Sequence, residues 1–176
     1  MAALLKDLRG LDIHVVAPPD RDGQVLADQL RRIGCTVTAH WPLPSRLPPR
    51  ADVVFVSIDD GDHDAVRRLL AGEASALPTL IAVVGYENPA TLQIVLEHPF
   101  SAIVERPIRS FGLLANLVIA RNLWLQHQST MKTLNNYKRR ALGDQKVARA
   151  KAVLMATQGL SEDEAYRELR ARAQSA

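Results

Sequence analysis

Two uninterrupted apolar runs, Val53-Val-Phe-Val56 and Thr79-Leu-Ile-Ala-Val-Val84, constrain the fold of this 176-residue chain more than any other feature. A strand with one wet face alternates apolar and polar residues, whereas one that is apolar throughout is covered on both faces. Such strands belong inside a parallel sheet with helices on either side. Shorter strand signals stand at Ile13–Ala17, stopped by Pro18-Pro19, at Cys35–Ala39 and at Ser101–Val104. Helical spacing marks Val25–Ile33, which ends at Gly34 where a C-terminal glycine belongs, then Ala65–Leu70 and Pro89–Leu96. Five strands separated by helices predict right-handed βαβ crossovers and an α/β domain, a five-stranded doubly wound parallel sheet over residues 1–110.

From Ser110 onward the pattern becomes helical, with no proline after Pro107 and only Gly112 and Gly143 between residues 111 and 158. Leu117, Ala120, Trp124, Met131, Leu134 and Ala141 fall on one seam, interrupted by His127 or Gln128 and then by Lys138. A heptad-like seam with polar interruptions predicts a long coiled-coil helix over 111–142, dimerising through Leu117, Trp124, Met131 and Leu134. Packing of that stripe back onto the same chain is the alternative. Residues 143–176 form a small helical unit, with Val147, Ala150, Val153 and Leu154 on one face up to Gln158-Gly159. Ser161-Glu-Asp-Glu164 then fits a capping box that opens a helix reaching about Ala173.

Charge is unevenly spread. Residues 1–110 carry a balance of −3, while residues 121–151 hold eight bases against Asp144 alone, a balance of +7. Such a segment is suited to a polyanionic partner, and a solvated helix face is the bland alternative. No stretch is apolar enough to span a bilayer, and Met1-Ala-Ala-Leu-Leu-Lys-Asp7 lacks the core of a signal peptide. Cys35 is the single cysteine, so no internal disulfide forms. These features point to the cytoplasm and to no membrane association.

Little in the chain suggests catalysis. Its nine glycines are dispersed, without a phosphate-binding or dinucleotide pattern, and no nucleophile elbow occurs. His14, His40, His98 and His127 are scattered, with no second histidine or cysteine at ligand spacing, so they read as structural. Asp59, Asp60, Asp62 and Asp64 lie in an acidic loop, but the spacing is not that of a calcium loop. A cap for the next helix from Asp62 or Asp64 is the simpler role. The chain is therefore read as no enzyme, with no metal and no cofactor.

Beyond the carboxyl ends of the strands, where ligands of such sheets sit, come Pro18-Pro19, Ser57, Gly85-Tyr86 and Arg106-Pro107. This arrangement resembles the receiver domain of response regulators, a flavodoxin-like fold. The resemblance implies an acidic magnesium-binding pair after strand one, a phospho-accepting aspartate at the end of strand three and a lysine before the strand-five proline. Here Pro18 and Pro19, Ser57 and Arg106 stand at those places, a degenerate phosphorylation site. A hydroxyl is a poor substitute for the attacking carboxylate, and proline has no side-chain oxygen for magnesium.

Further on, Ala150-Lys151-Ala-Val-Leu154-Met155, Gly159, and Glu164-Ala165-Tyr166 through Leu169-Arg170 resemble the ANTAR RNA-binding domain of transcription antiterminators. Leu30-Arg-Arg-Ile-Gly-Cys-Thr-Val37, Trp41-Pro-Leu-Pro44, Asp52–Ile58 and Tyr86-Glu-Asn-Pro89 extend the likeness to AmiR-type antitermination regulators over nearly the whole chain. The resemblance implies a receiver that works without phosphorylation, a dimerising coiled coil and an ANTAR unit of three helices. The third of those helices is expected to be missing here. It also implies a cytoplasmic ligand-binding sensor of the periplasmic-binding-protein type that holds the regulator inactive, and leader mRNA hairpins as its target. Lys146, Arg149, Lys151 and Arg170 would face the phosphates, with Tyr166 the tail's one aromatic. A protein–protein adaptor, with the same receiver and coil but no RNA, is the rival reading.

Overall fold

In the computed structural model the described residues are 8–59, 61–71, 77–85 and 88–174. Five parallel strands, β1 (Asp12–Val16), β2 (Thr36–His40), β3 (Val53–Ile58), β4 (Thr79–Val84) and β5 (Phe100–Glu105), form one sheet in the order β2-β1-β3-β4-β5. Helices α1 (Arg21–Ile33), α2 (His63–Leu70), α3 (Pro89–Glu97), α4 (Ser110–Gln158) and α5 (Glu162–Gln174) complete the described elements.

The two apolar runs are the central strands β3 and β4, and every residue in both is buried. Their alternation divides the core. Val53 and Phe55 face a cluster with Leu26 and Leu30 of α1 and Leu113, Leu117 and Ala120 of α4. Val54 and Val56 face the opposite cluster, with Val66, Leu69 and Leu70 of α2 and Ile94 of α3. The sheet is therefore doubly wound, and each central strand contributes to both layers.

Local chemistry sets the helix ends. Asp20 caps α1 by accepting from the Gly23 amide at 2.8 Å, and Gly34 closes it in the left-handed region at φ 102°. Asn88 caps α3 through Thr91 N–H at 2.7 Å, with Pro89 in its first turn. Asp62 sits at the N-cap of α2 as expected, but its side chain makes no capping hydrogen bond.

Two features depart from the sequence reading. No helix joins β2 to β3: residues 41–52 cross as an irregular segment with prolines at 42, 44, 48 and 49. Proline lacks the N–H a helix needs and clashes with the preceding turn, so this crossover is denied a helix. Leu43, Leu47 and Ala51 of the segment pack on the sheet layer that a helix would otherwise cover. The second departure concerns α4, whose first turns belong to the α/β unit. That unit extends to His127 rather than stopping near residue 110. Leu113, Leu117 and Ala120 are fully buried in it because the β4–β5 half of this sheet layer has no other helix above it.

Arg121 and Trp124 fasten the same turns to the amino ends of β3 and β4. Arg121 Nη2 pairs with Asp52 Oδ1 at 3.1 Å, and Nη1 donates to the Asp52 carbonyl at 3.2 Å and to Thr79 Oγ1 at 3.3 Å. Its guanidinium lies 4.7 Å from the Trp124 ring centroid, and Trp124 Nε1 donates to the Leu77 carbonyl at 3.0 Å.

The second unit covers residues 128–176. Helix α4 runs through Gly143 without a break, so the junction foreseen there is not marked in the backbone. Gly159, at φ 67°, ends the helix, and α5 follows. The predicted capping box is present: Ser161 N–H and Oγ–H both donate to Glu164 Oε2, at 2.9 and 2.7 Å. Leu154 and Ala165 are buried within this unit while most of its surface is exposed.

Candidate functional site

At the carboxyl end of the sheet, three loops converge on Arg106. Its Nη2 donates to Ser57 Oγ at 2.7 Å, and its Nη1 donates to Asp20 Oδ2 at 2.7 Å. Ser57 Oγ–H donates in turn to Asp59 Oδ2 at 2.9 Å, which lies 3.9 Å from Arg106 Nη2. The Arg106 side chain is only 13% exposed, and its Nε–H is buried without a partner among the described residues. One permanent cation thus ties together the β1–α1, β3–α2 and β5–α4 connections.

Burial works to raise the pKa of Asp20. The Gly23 amide and the Arg106 guanidinium outweigh it and hold the carboxyl below its ordinary value. Gly23 is required at its position, since a Cβ there would lie 2.3 Å from the Pro18 carbonyl oxygen. The Pro18 carbonyl thus lies against the first turn of α1, whose cap Asp20 reaches Arg106. The donor set does not fit a divalent cation. Arg106 already holds the Asp20 and Ser57 oxygens, and neither proline offers an oxygen from its side chain.

Ser57 and Arg106 were expected near one another from their places in the sheet. Asp20 and Asp59 as their partners were not, because no sequence spacing connects residue 20 with residue 106. Asp60 and Tyr86 lie outside the described residues. The histidines hold another surprise: His14 Nδ1 and His40 Nε2 are 2.7 Å apart, joined by a shared hydrogen bond. Burial and the neighbouring His14 hold the His40 pKa below the ordinary value. Among the described residues, no three metal-binding side chains come together.

The basic segment lies on α4 and α5. Lys146, Arg149 and Arg170 are exposed. Lys151 is partly covered and its Nζ is bound to Glu162 Oε1, so a phosphate would have to compete with that carboxylate. Tyr166 is exposed at 52%. Of the seam residues, Leu117 is completely buried in its own domain and has no surface to offer a second chain. Trp124 is partly buried and spends its indole N–H on Leu77. Met131 and Leu134 lie beyond the α/β unit, where Leu134 is 43% exposed.

Comparison with known proteins agrees with this division. Residues 11–121 match the family model for the AmiR N-terminal domain, and residues 136–176 match that for the ANTAR domain. The aliphatic amidase regulator of Pseudomonas aeruginosa is 34% identical over 168 residues, covering 95% of this chain and 85% of that protein. Among solved structures, a response regulator receiver protein from Burkholderia phymatum superposes with a TM-score of 0.51 at 17% identity, covering 64% of this chain and 95% of its own. FixJ-N gives a TM-score of 0.51 at 14% identity, over 65% and 95% of the two chains. These structural likenesses establish a receiver-like fold. No described helix is long and apolar enough to cross a membrane. With a receiver-like domain followed by an ANTAR segment, the chain belongs to the AmiR family of antiterminator regulators.

Proposed function

We propose that this protein is a homodimeric, cytoplasmic RNA-binding transcription antiterminator, controlled by sequestration by a ligand-sensing partner and not by phosphorylation. The observation that carries the reading is the ANTAR match over residues 136–176, which coincides with the exposed bases Lys146, Arg149 and Arg170. In this reading those side chains meet phosphates of paired hairpins in a leader mRNA. Arg106 supports the second half of the proposal. It fills the pocket in which a receiver would bind magnesium and carry its phosphoryl group, leaving control to a protein partner. A sensor of the periplasmic-binding-protein type is that partner, releasing the dimer when inducer binds.

Dimerisation is assigned to α4 beyond the α/β unit, through Met131 and Leu134, since Leu117 and Trp124 are engaged within their own domain. Two ANTAR units joined in this way would engage two hairpins with raised effective concentration. The test is a filter-binding titration of the chain against a tandem-hairpin leader RNA, over a series of salt concentrations. Specific binding that weakens in Lys146→Ala and Arg149→Ala supports the proposal. Absence of hairpin-specific binding refutes it and favours the adaptor reading.

A further inference from the structure

Lys132, Arg139 and Lys146 follow one another at intervals of seven residues on α4. Seven residues make two helical turns less about 20°, so the three side chains stand in one row along the axis. With a rise of 1.5 Å per residue, the steps between them are about 10.5 Å. All three are exposed, and none has an ion pair or hydrogen bond among the described residues. Asp144, the one acid between residues 128 and 151, lies about 140° around the helix from Arg139. Leu134 and Tyr137 occupy nearly the opposite side of the helix from the basic row, at 43% and 64% exposure.

We propose that Lys132, Arg139 and Lys146 form a phosphate-contacting row that extends the RNA footprint along α4, past the start of the ANTAR segment at residue 136. This rests on the RNA-binding reading and deepens it, since Lys132 lies outside that segment and Arg139 was assigned no role. Unpaired cations at regular spacing on a rigid helix suit a repeating anion, the sugar-phosphate backbone. Contacts of this kind supply affinity and register without reading bases. Leu134 and Tyr137 lie about 140° and 160° around the helix from Arg139, so a second copy that covers them leaves the row accessible.

The test measures binding of the full chain to poly(U) and to a tandem-hairpin RNA across a salt series. The double variant Lys132→Gln with Arg139→Gln removes two charges from the row. The control, Lys138→Gln with Arg140→Gln, removes two charges at about 100° to either side of Arg139. Circular dichroism verifies that both retain the helix. The row variant should lower the slope of log affinity against log salt by about 1.5 on both RNAs, and the control should change it far less. Equal losses in the two variants overturn the row, because net charge alone would then account for the binding. An unchanged slope in the row variant also overturns it and leaves the RNA reading intact. If that variant instead loses binding to polyglutamate, the row belongs to an acidic protein. A wild-type chain that binds neither RNA ends both readings together.

Discussion

Arg106 reaches Ser57 Oγ at 2.7 Å from a residue 49 positions away, and the same guanidinium holds Asp20 at 2.7 Å. The β1–α1, β3–α2 and β5–α4 connections are held together by this one internal cation. An arginine fork cannot be titrated away in the physiological range.

Replacing Arg106 by methionine removes two charge-assisted hydrogen bonds from a largely buried group. It should lower the stability of the α/β domain by about 2 kcal/mol, read as a shift in the urea midpoint. The variant should also change the response to acid. The pKa of Asp20 is depressed in the folded state, so its contribution is present above the unfolded carboxylate value and is lost as pH falls through the folded one. Wild-type protein should therefore lose stability as pH falls below about 4, and Arg106→Met should show a shallower decline in that window. Parallel curves for the two proteins would contradict the pairing.

Incubation with acetyl phosphate and magnesium should leave the intact mass of the wild-type chain unchanged. Ser57 is a weak nucleophile whose oxygen is already engaged by Arg106 and Asp59. A gain of one phosphoryl group that disappears in Ser57→Ala would refute the closed-pocket reading.

Leu117 and Leu134 should respond differently to truncation, although both fit the seam in the sequence. Leu117→Ala empties a fully buried site and should cost the domain about 2–5 kcal/mol. Leu134→Ala should leave the domain's urea transition in place and weaken self-association in sedimentation velocity. A dissociated Leu117→Ala protein with unaltered domain stability would reverse the assignment.

Glu162→Gln should release Lys151 from its carboxylate partner. The freed ammonium would be available to phosphate, increasing RNA affinity and steepening its salt dependence by close to one unit of slope. Lys151→Gln in the same background should cancel that gain.

Burial made the central sheet legible. β4 spans the same six residues that the apolar run marked, and Gly34 closes α1 where the pattern ended. The seam on α4 was harder to read, because one periodicity serves two environments. At Leu117 and Ala120 it faces the chain's own sheet, and from Met131 onward it lies outside that unit. Hydrophobic spacing reports that a stripe is covered but not what covers it. The acceptor pocket showed the same limit. Ser57 and Arg106 were recognised by their places after strands, whereas Asp20 and Asp59 entered only through the folded geometry.

The crossover between β2 and β3 has a consequence for the unfolded chain. Each of its four prolines already has φ confined before folding begins, so the segment has less conformational freedom to surrender than an ordinary linker. A proline compatible with its native backbone contributes about 0.4–1 kcal/mol in this way. What the missing helix would have supplied in backbone hydrogen bonds is offset in part by a denatured state that is poorer in alternatives. The stiffness of this stretch is thus written into its covalent rings.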